Sequence, residues 1–190
     1  MLKNYNLNSS VAIWSYLTLS KRSELEIVDF FENEYGIHSD YIVNNMHLTI
    51  YHCRRNIYEI ENKVQNIYFT IDTLDTRFMV LAPGGENPRP NLIPANKKCG
   101  IRIKKNSEFK IYLNNLREPF IELEQKLRFK NRKHSTFNKN AFGARNYQPH
   151  ISLLKAGSGI MTDLTDIGTN FREQIIELEF DKLVTKKHYS

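Results

Sequence analysis

The chain has 190 residues and a mass of 22.4 kDa, which is the usual size of a single domain. Its hydrophobic content of 41% and aromatic content of 12% exclude a disordered chain, and its apolar runs are far shorter than a membrane-spanning helix requires. The 27 Lys and Arg outnumber the 21 Asp and Glu, and the resulting charge of +6 favours a polyanionic ligand such as a nucleotide, RNA or an acidic membrane face.

Strand and helix patterns alternate along the first half of the chain. The patterns predict, in order, a strand at 11–19, a helix at 24–35, a strand at 46–53, a short helix or turn at 57–64, and strands at 67–74 and 77–81. Ser20 is the expected N-cap of the first helix, and Gly36 is its expected stop. The last two strands lie close enough in sequence to form a hairpin.

The second half opens with an irregular segment, 82–98, which contains four of the six prolines. The elements predicted after it are a strand at 99–105, a helix at 107–129 with a kink at Pro119, a strand at 147–154, a helix at 162–171 and a strand at 175–184. A basic stretch at 128–146 has six Lys or Arg and no acid. Because strand–helix–strand order recurs in each half, we expect one α+β domain, 1–190, with two related lobes.

Neither cysteine belongs to a C-x-x-C pair, and both Cys53 and Cys99 sit in apolar runs. This pattern predicts reduced thiols in a cytoplasmic protein. The first ten residues lack a secretory pattern, and no membrane partner is expected. Asp, Glu and His do not cluster at metal-ligand spacing, so we expect neither a metal nor another cofactor.

Two tetrapeptides repeat one chemical pattern, a histidine followed two residues later by a hydroxyl. They are His47-Leu48-Thr49-Ile50 and His150-Ile151-Ser152-Leu153. In a strand, side chains two residues apart share a face, so each motif presents an imidazole and a hydroxyl on one face and an apolar pair on the other. A single motif of this kind occurs by chance in many proteins, whereas two strand-placed copies, one in each half, favour a shared site.

An imidazole pair suits the cleavage of a phosphodiester. One neutral histidine takes a proton from the attacking hydroxyl or water, and the other, protonated, donates a proton to the leaving oxygen. The hydroxyls of Thr49 and Ser152 can hydrogen-bond the non-bridging oxygens and hold the phosphate between the rings. This chemistry requires no metal.

The motifs resemble the paired H-x-[T/S] motifs of the two-histidine (2H) phosphoesterase superfamily. The run Tyr147-Gln148-Pro149-His150-Ile151-Ser152-Leu153 carries the more specific part of the resemblance. It implies a bilobal α+β fold with two antiparallel sheets that form a central groove and helices outside. It also implies that His47 and His150 are the acid/base pair and that Thr49 and Ser152 bind phosphate. Which histidine is the base is left open.

The resemblance implies nucleotide-type substrates: a cyclic nucleotide or an oligonucleotide, including 2′,5′-linked and 2′,3′-cyclic phosphates, and possible partners include RNA ends. Phage enzymes that degrade cyclic oligonucleotide signals are members of the superfamily. A compact groove favours a small or cyclic nucleotide over long RNA. The alternative is a catalytically inactive module of the same fold that binds RNA or a nucleotide through its basic stretch.

Further side chains are candidates for substrate binding. Tyr51 shares the predicted strand face of His47 and can stack on a base or cover the groove edge, and aromatic residues of the first strand can form a wall for a nucleobase. The remaining candidates flank the second motif, where they can meet substrate or remain solvated. The full set is Tyr51, Trp14, Tyr16, Tyr147, Arg145 and Lys155.

Overall fold

The computed structural model describes residues 11–53, 60–81, 97–130, 147–160 and 162–189. Seven strands lie within these ranges: β1 Val11–Leu19, β2 His47–Cys53, β3 Lys63–Asp72, β4 Thr76–Leu81, β5 Lys98–Ile103, β6 His150–Leu154 and β7 Glu177–Tyr189. The three α-helices of the same ranges are α1 Lys21–Tyr35, α2 Glu108–Lys130 and α3 Leu164–Gln174. Short 3-10 turns occupy Ser39–Tyr41 and Thr73–Asp75.

The described strands form one sheet in the order β3-β7-β1-β2-β6-β5-β4, and every pairing in it is antiparallel. The predicted α+β class is confirmed. The two separate sheets that the resemblance implied are not seen among the described strands. Instead, the strands of the first and second motifs are neighbours at the middle of the continuous sheet, where Leu48 of β2 is opposite Ile151 of β6.

The predicted hairpin between the third and fourth strands is wrong, because β3 and β4 form opposite edges of the sheet. Only the turn Thr73–Asp75 connects them. Six strand spacings of about 4.8 Å would separate these edges by roughly 29 Å in a flat sheet, whereas four residues span at most about 14 Å. The sheet therefore curls so that its two edges converge at this turn.

The first helix has the predicted N-cap and stop, but α1 begins at Lys21, three residues before the predicted start at 24. The Ser20 hydroxyl accepts a hydrogen bond from the Ser23 amide at 3.2 Å, and Gly36 ends the helix with φ of 61°. In the first turn of α1, the Glu24 carboxylate accepts a hydrogen bond from the Met46 amide at 2.6 Å and thereby holds the segment that leads into β2.

The helices pack on one face of the sheet. A buried row crosses this face from β1 to β4, and its members are Leu17, Leu48, Ile151, Ile101 and Phe78. Phe78 contacts Phe31 of α1 and Phe171 of α3, with ring centroids 6.4 and 5.0 Å apart. Because side chains alternate along a strand, the residues directly before and after each member of this row in its own strand project from the opposite face of the sheet.

Some boundaries differ from the predictions, and some segments cannot be compared. Residues 60–62 are irregular and β3 starts at Lys63, so the helix or turn predicted at 57–64 is wrong in its described part. β7 continues to Tyr189, beyond the predicted end at 184. The segment 82–96 and most of the basic stretch, 131–146, lie outside the described residues. Among the helices that are described, none has both the length and the apolar character to cross a membrane.

The Cys99 thiol is free and buried on β5, as predicted, and burial raises its pKa to about 12. The thiol is therefore protonated and unreactive at neutral pH. The side chain of Cys53 lies outside the described part of the chain.

Gly100 of β5 pairs with Ser152 of β6 and packs directly against the β6 backbone. A Cβ at this position would overlap the carbonyl oxygen of Ile151 and lie 2.9 Å from Cδ1 of Leu81. We therefore expect Gly100→Ala to lower the free energy of unfolding by about 1–3 kcal/mol, measured by urea denaturation. Gly168→Ala in α3 is the control, because its Cβ would meet the flexible end of Arg172 at 3.3 Å and would favour helix. Equal stability of the two variants would contradict this account.

Candidate active site

The fold brings the two histidine motifs together. Leu48 and Ile151 face each other on β2 and β6, and both project toward the helices. One residue further in each direction, the antiparallel register places His47 opposite Ser152 and Thr49 opposite His150. All four side chains therefore project from the sheet face opposite the helices.

Both imidazoles are held in the same way. Nδ1 of His47 lies 3.0 Å from the carbonyl oxygen of Asn45, and Nδ1 of His150 lies 3.0 Å from the carbonyl oxygen of Gln148. A carbonyl only accepts hydrogen bonds, so each Nδ1 carries the proton and donates it. In the neutral ring, Nε2 then holds the lone pair, which is the arrangement that an acid/base histidine requires.

Asn45 explains how the first of these carbonyls is positioned. Its φ is 53°, and it is the one non-glycine residue with positive φ in the described ranges. Asn tolerates this left-handed conformation better than most residues. The turn therefore directs the Asn45 carbonyl back toward the imidazole of His47, which is the first residue of β2.

Burial and nearby charge both act on His150. Its pKa is lowered chiefly by burial, and the positive charges of Arg102 and His47 lower it further, while the hydrogen bond to Gln148 opposes these effects. Arg102 is the direct partner of His150 on β5. The neutral form of His150 is therefore favoured at neutral pH.

Trp14 and Tyr16 of β1 surround His47. The ring centroid of His47 lies 4.8 Å from that of Trp14 and 5.1 Å from that of Tyr16. Nε1 of Trp14 also donates a hydrogen bond to the Thr49 hydroxyl oxygen at 3.2 Å. Because the indole N–H occupies one acceptor position of this oxygen, the Thr49 proton remains available for another acceptor, such as a phosphate oxygen. Stacking of these rings on a nucleobase stays a prediction.

Trp14→Phe would remove the indole donor and keep an aromatic ring beside His47. A neutral hydrogen bond contributes about 1 kcal/mol, so we expect kcat for a cleaved phosphodiester to fall roughly fivefold. Steady-state kinetics would measure this change. Thr49→Val should abolish the effect of Trp14→Phe in a double-mutant cycle, and additive losses would contradict a shared hydrogen bond.

Tyr51 does not share the face of His47, contrary to the prediction. β2 has one more residue than β1 at this point, because Ser15 pairs with Tyr51 while Tyr16 pairs with Thr49. The resulting bulge turns Tyr51 toward the helices. There it has no exposed surface and stacks on Phe120 of α2, with centroids 5.0 Å apart. Tyr51 is a core residue in this structure.

Tyr147 also lies away from the site face. It is 7% exposed, and its hydroxyl donates a hydrogen bond to the Thr49 carbonyl at 2.8 Å. The Arg117 guanidinium lies over its ring, 3.8 Å from the centroid. Tyr147 therefore connects the segment that precedes β6 to β2, and its contact with substrate stays a prediction.

Of the two basic candidates beside the second motif, Lys155 lies within the described residues, and its ammonium is not placed at the histidines. The Lys155 ammonium donates a hydrogen bond to the Asp40 carbonyl at 2.8 Å, and it follows the end of β6 that is remote from His150. Five residues of strand correspond to roughly 16 Å. Arg145 lies outside the described residues.

Two basic residues of the site face were not predicted. Arg102 of β5 is opposite His150, and Arg77 of β4 is opposite Arg102. The alternation of Ile101 and Ile103 with Arg102 and Lys104 indicates a strand with one polar face. Only the strand order shows that this polar face adjoins a histidine motif.

Within the described residues, no group of three or more His, Cys, Asp or Glu side chains is placed to hold a metal ion. No protein-family model and no curated protein matches this chain. The two-histidine hypothesis therefore depends on the motifs and on the geometry around them.

Proposed function

We propose that this protein is a phosphodiesterase that cleaves nucleotide-type phosphodiesters through acid/base catalysis by His47 and His150, without a catalytic metal. The proposed substrates are cyclic nucleotides or oligonucleotides with 2′,5′-linked or 2′,3′-cyclic phosphates, and the proposed fold is a variant of the bilobal 2H arrangement. One observation carries the proposal. Two imidazoles on adjacent strands share a sheet face, and each Nδ1 donates to a backbone carbonyl.

The environment of His150 suits the general base. Its lowered pKa favours the neutral ring, whose Nε2 takes the proton of the attacking hydroxyl or water. His47 is then the acid and donates its Nε2 proton to the leaving oxygen as the P–O bond breaks. The hydroxyls of Thr49 and Ser152 hold the non-bridging oxygens. After the step His150 is protonated and His47 is neutral, and proton exchange with water restores both.

The assignment of His150 as base predicts the pH dependence of turnover. A base must be deprotonated, so kcat/KM rises with pH through the pKa of His150, which is lowered from its usual 6.5. We therefore expect the acid limb of the pH–rate profile to have its midpoint below pH 6.5. Because the charge of Arg102 lowers this pKa, Arg102→Gln should move the limb to higher pH. A limb that stays in place, or moves to lower pH, would contradict the assignment.

A hydrolysis panel in EDTA tests the proposed activity. It contains 2′,3′-cyclic nucleotides, 2′,5′-oligoadenylate, ADP-ribose cyclic phosphate, and 3′,3′- and 2′,3′-linked cyclic di- and trinucleotides, with products separated by chromatography. We expect at least one member to be cleaved at a rate that EDTA does not change. Binding of nucleotides without cleavage of any member would instead support the inactive binding module.

A further inference from the structure

The site face continues beyond His150 as a row of cations. Register pairs connect His150 of β6 with Arg102 of β5, and Arg102 with Arg77 of β4. Directly opposed residues of antiparallel strands project their side chains from the same face. The two arginines therefore extend the histidine site toward the β4 edge of the sheet, one and two strand spacings of about 4.8 Å from His150.

Positive charge accumulates in this row. Burial lowers the pKa of the half-buried Arg102, and the charge of Arg77 lowers it further. The charges that shift the pKa of His150, from Arg102 and His47, are also positive. Like charges that are held side by side and partly removed from water destabilise one another. A bound anion among them would relieve this repulsion.

The opposite side of the histidine pair has a different chemistry. Beyond β2, the same face carries the rings of Trp14 and Tyr16 on β1. The site is therefore asymmetric, with guanidinium groups on the β5 and β4 side and aromatic surface on the β1 side, where the Lys186 ammonium of β7 lies 5.9 Å from the Tyr16 ring centroid. Arginine forms bidentate hydrogen bonds with phosphate oxygens, and aromatic rings stack on bases.

We propose that Arg102 and Arg77 form a second phosphate subsite, so that the preferred substrate carries at least one phosphate besides the one that is cleaved. This inference rests on the proposed function. It favours a short or cyclic oligonucleotide over a cyclic mononucleotide. The base next to the cleaved phosphate lies on the Trp14 side, and the additional phosphate lies on the arginine side.

The inference is tested by binding, independently of turnover. Isothermal titration calorimetry would compare adenosine 5′-monophosphate with adenosine 3′,5′-bisphosphate, which differ by one phosphate. A charge-assisted hydrogen bond corresponds to roughly a tenfold to hundredfold change in affinity, and we expect the wild-type protein to favour the bisphosphate by this factor. Arg102→Gln and Arg77→Gln should each reduce the ratio at least fivefold, and Arg102→Lys should retain part of it.

Arg172→Gln is the matched control, because it removes the same charge from α3, on the helix face of the sheet. It should leave the affinity ratio unchanged. A wild-type ratio near one would overturn the inference. An equal loss of the ratio in Arg172→Gln and Arg102→Gln would also overturn it, because the preference would then reflect net charge alone. Arg77 is exposed on an edge strand, so its variant remains informative if Arg102→Gln fails to fold.

A kinetic arm separates this inference from the proposed function. It compares adenosine 2′,3′-cyclic phosphate with the same compound carrying a 5′-phosphate. We expect a higher kcat/KM for the second compound in the wild-type protein and a loss of this preference in Arg102→Gln. If neither compound is cleaved but the arginine variants lose their preference for the bisphosphate, the second subsite is supported and the proposed phosphodiesterase activity is not.

Discussion

Replacement of either histidine by glutamine is expected to reduce kcat for a cleaved phosphodiester roughly 10²–10⁴-fold, which is the usual contribution of a positioned acid or base. Glutamine retains polar atoms but transfers no proton at neutral pH. His47→Gln and His150→Gln should lose activity to a similar degree. The double variant should be little slower than the slower single variant, because the two residues act as a unit.

The control for these variants is His38→Gln. His38 is exposed, and its Nδ1 accepts the Asp40 amide at the start of a 3-10 turn. We expect the kcat of the His38→Gln variant to remain within about twofold of wild type. In the His47→Gln and His150→Gln variants, we expect nucleotide affinity to change only a few-fold. Wild-type turnover in either site variant, or an equal loss in His38→Gln, would contradict acid/base catalysis by this pair.

Tyr51→Ala is expected to cause the largest loss of stability among the substitutions considered. Removal of a fully buried aromatic side chain that stacks on Phe120 should lower the free energy of unfolding by about 3–5 kcal/mol. Tyr51→Phe keeps the stacked ring and should recover most of that loss. Urea denaturation, followed by circular dichroism, measures both values.

Trp14→Ala is expected to reduce activity more than stability, which is the opposite of the result expected for Tyr51→Ala. The comparison therefore tests the assignment of Trp14 to the site and of Tyr51 to the core. Trp14 is half-buried on the site face, so its removal should affect kcat/KM more than stability. Tyr51→Phe should leave kcat/KM within about twofold of wild type. If Tyr51→Phe instead reduces kcat/KM as strongly as Trp14→Ala while the protein remains folded, Tyr51 belongs to the site and its assignment to the core is wrong.

Local sequence signals predicted the individual elements well. The strand at 11–19 matches β1, and Ser20 and Gly36 bound α1 as expected, because capping and alternation depend on neighbouring residues. The hairpin was wrong because strand partners are chosen by long-range packing. A turn of three residues connects the two edges of the sheet only because the sheet curls.

The site was predictable in its centre and not at its margins. The H-x-[T/S] motifs carry their own strand alternation, so His47 and Thr49 share a face, as do His150 and Ser152. Tyr51 was misplaced because a bulge between Thr49 and Tyr51 reverses the alternation. Arg102 was missed because only strand order places β5 beside β6, and no local pattern encodes that order.

The pairing of the two imidazoles on one phosphate is the central claim, and two-bond ¹H–¹⁵N NMR of the histidine rings tests it most directly. The spectra would be recorded during titration with adenosine 2′-monophosphate and assigned with the His47→Gln and His150→Gln variants. We expect both neutral rings to carry the proton on Nδ1, and both Nε2 resonances to shift along one common binding curve with 1:1 stoichiometry. A proton on Nε2 in either neutral ring, or a response from only one ring, would contradict the claim.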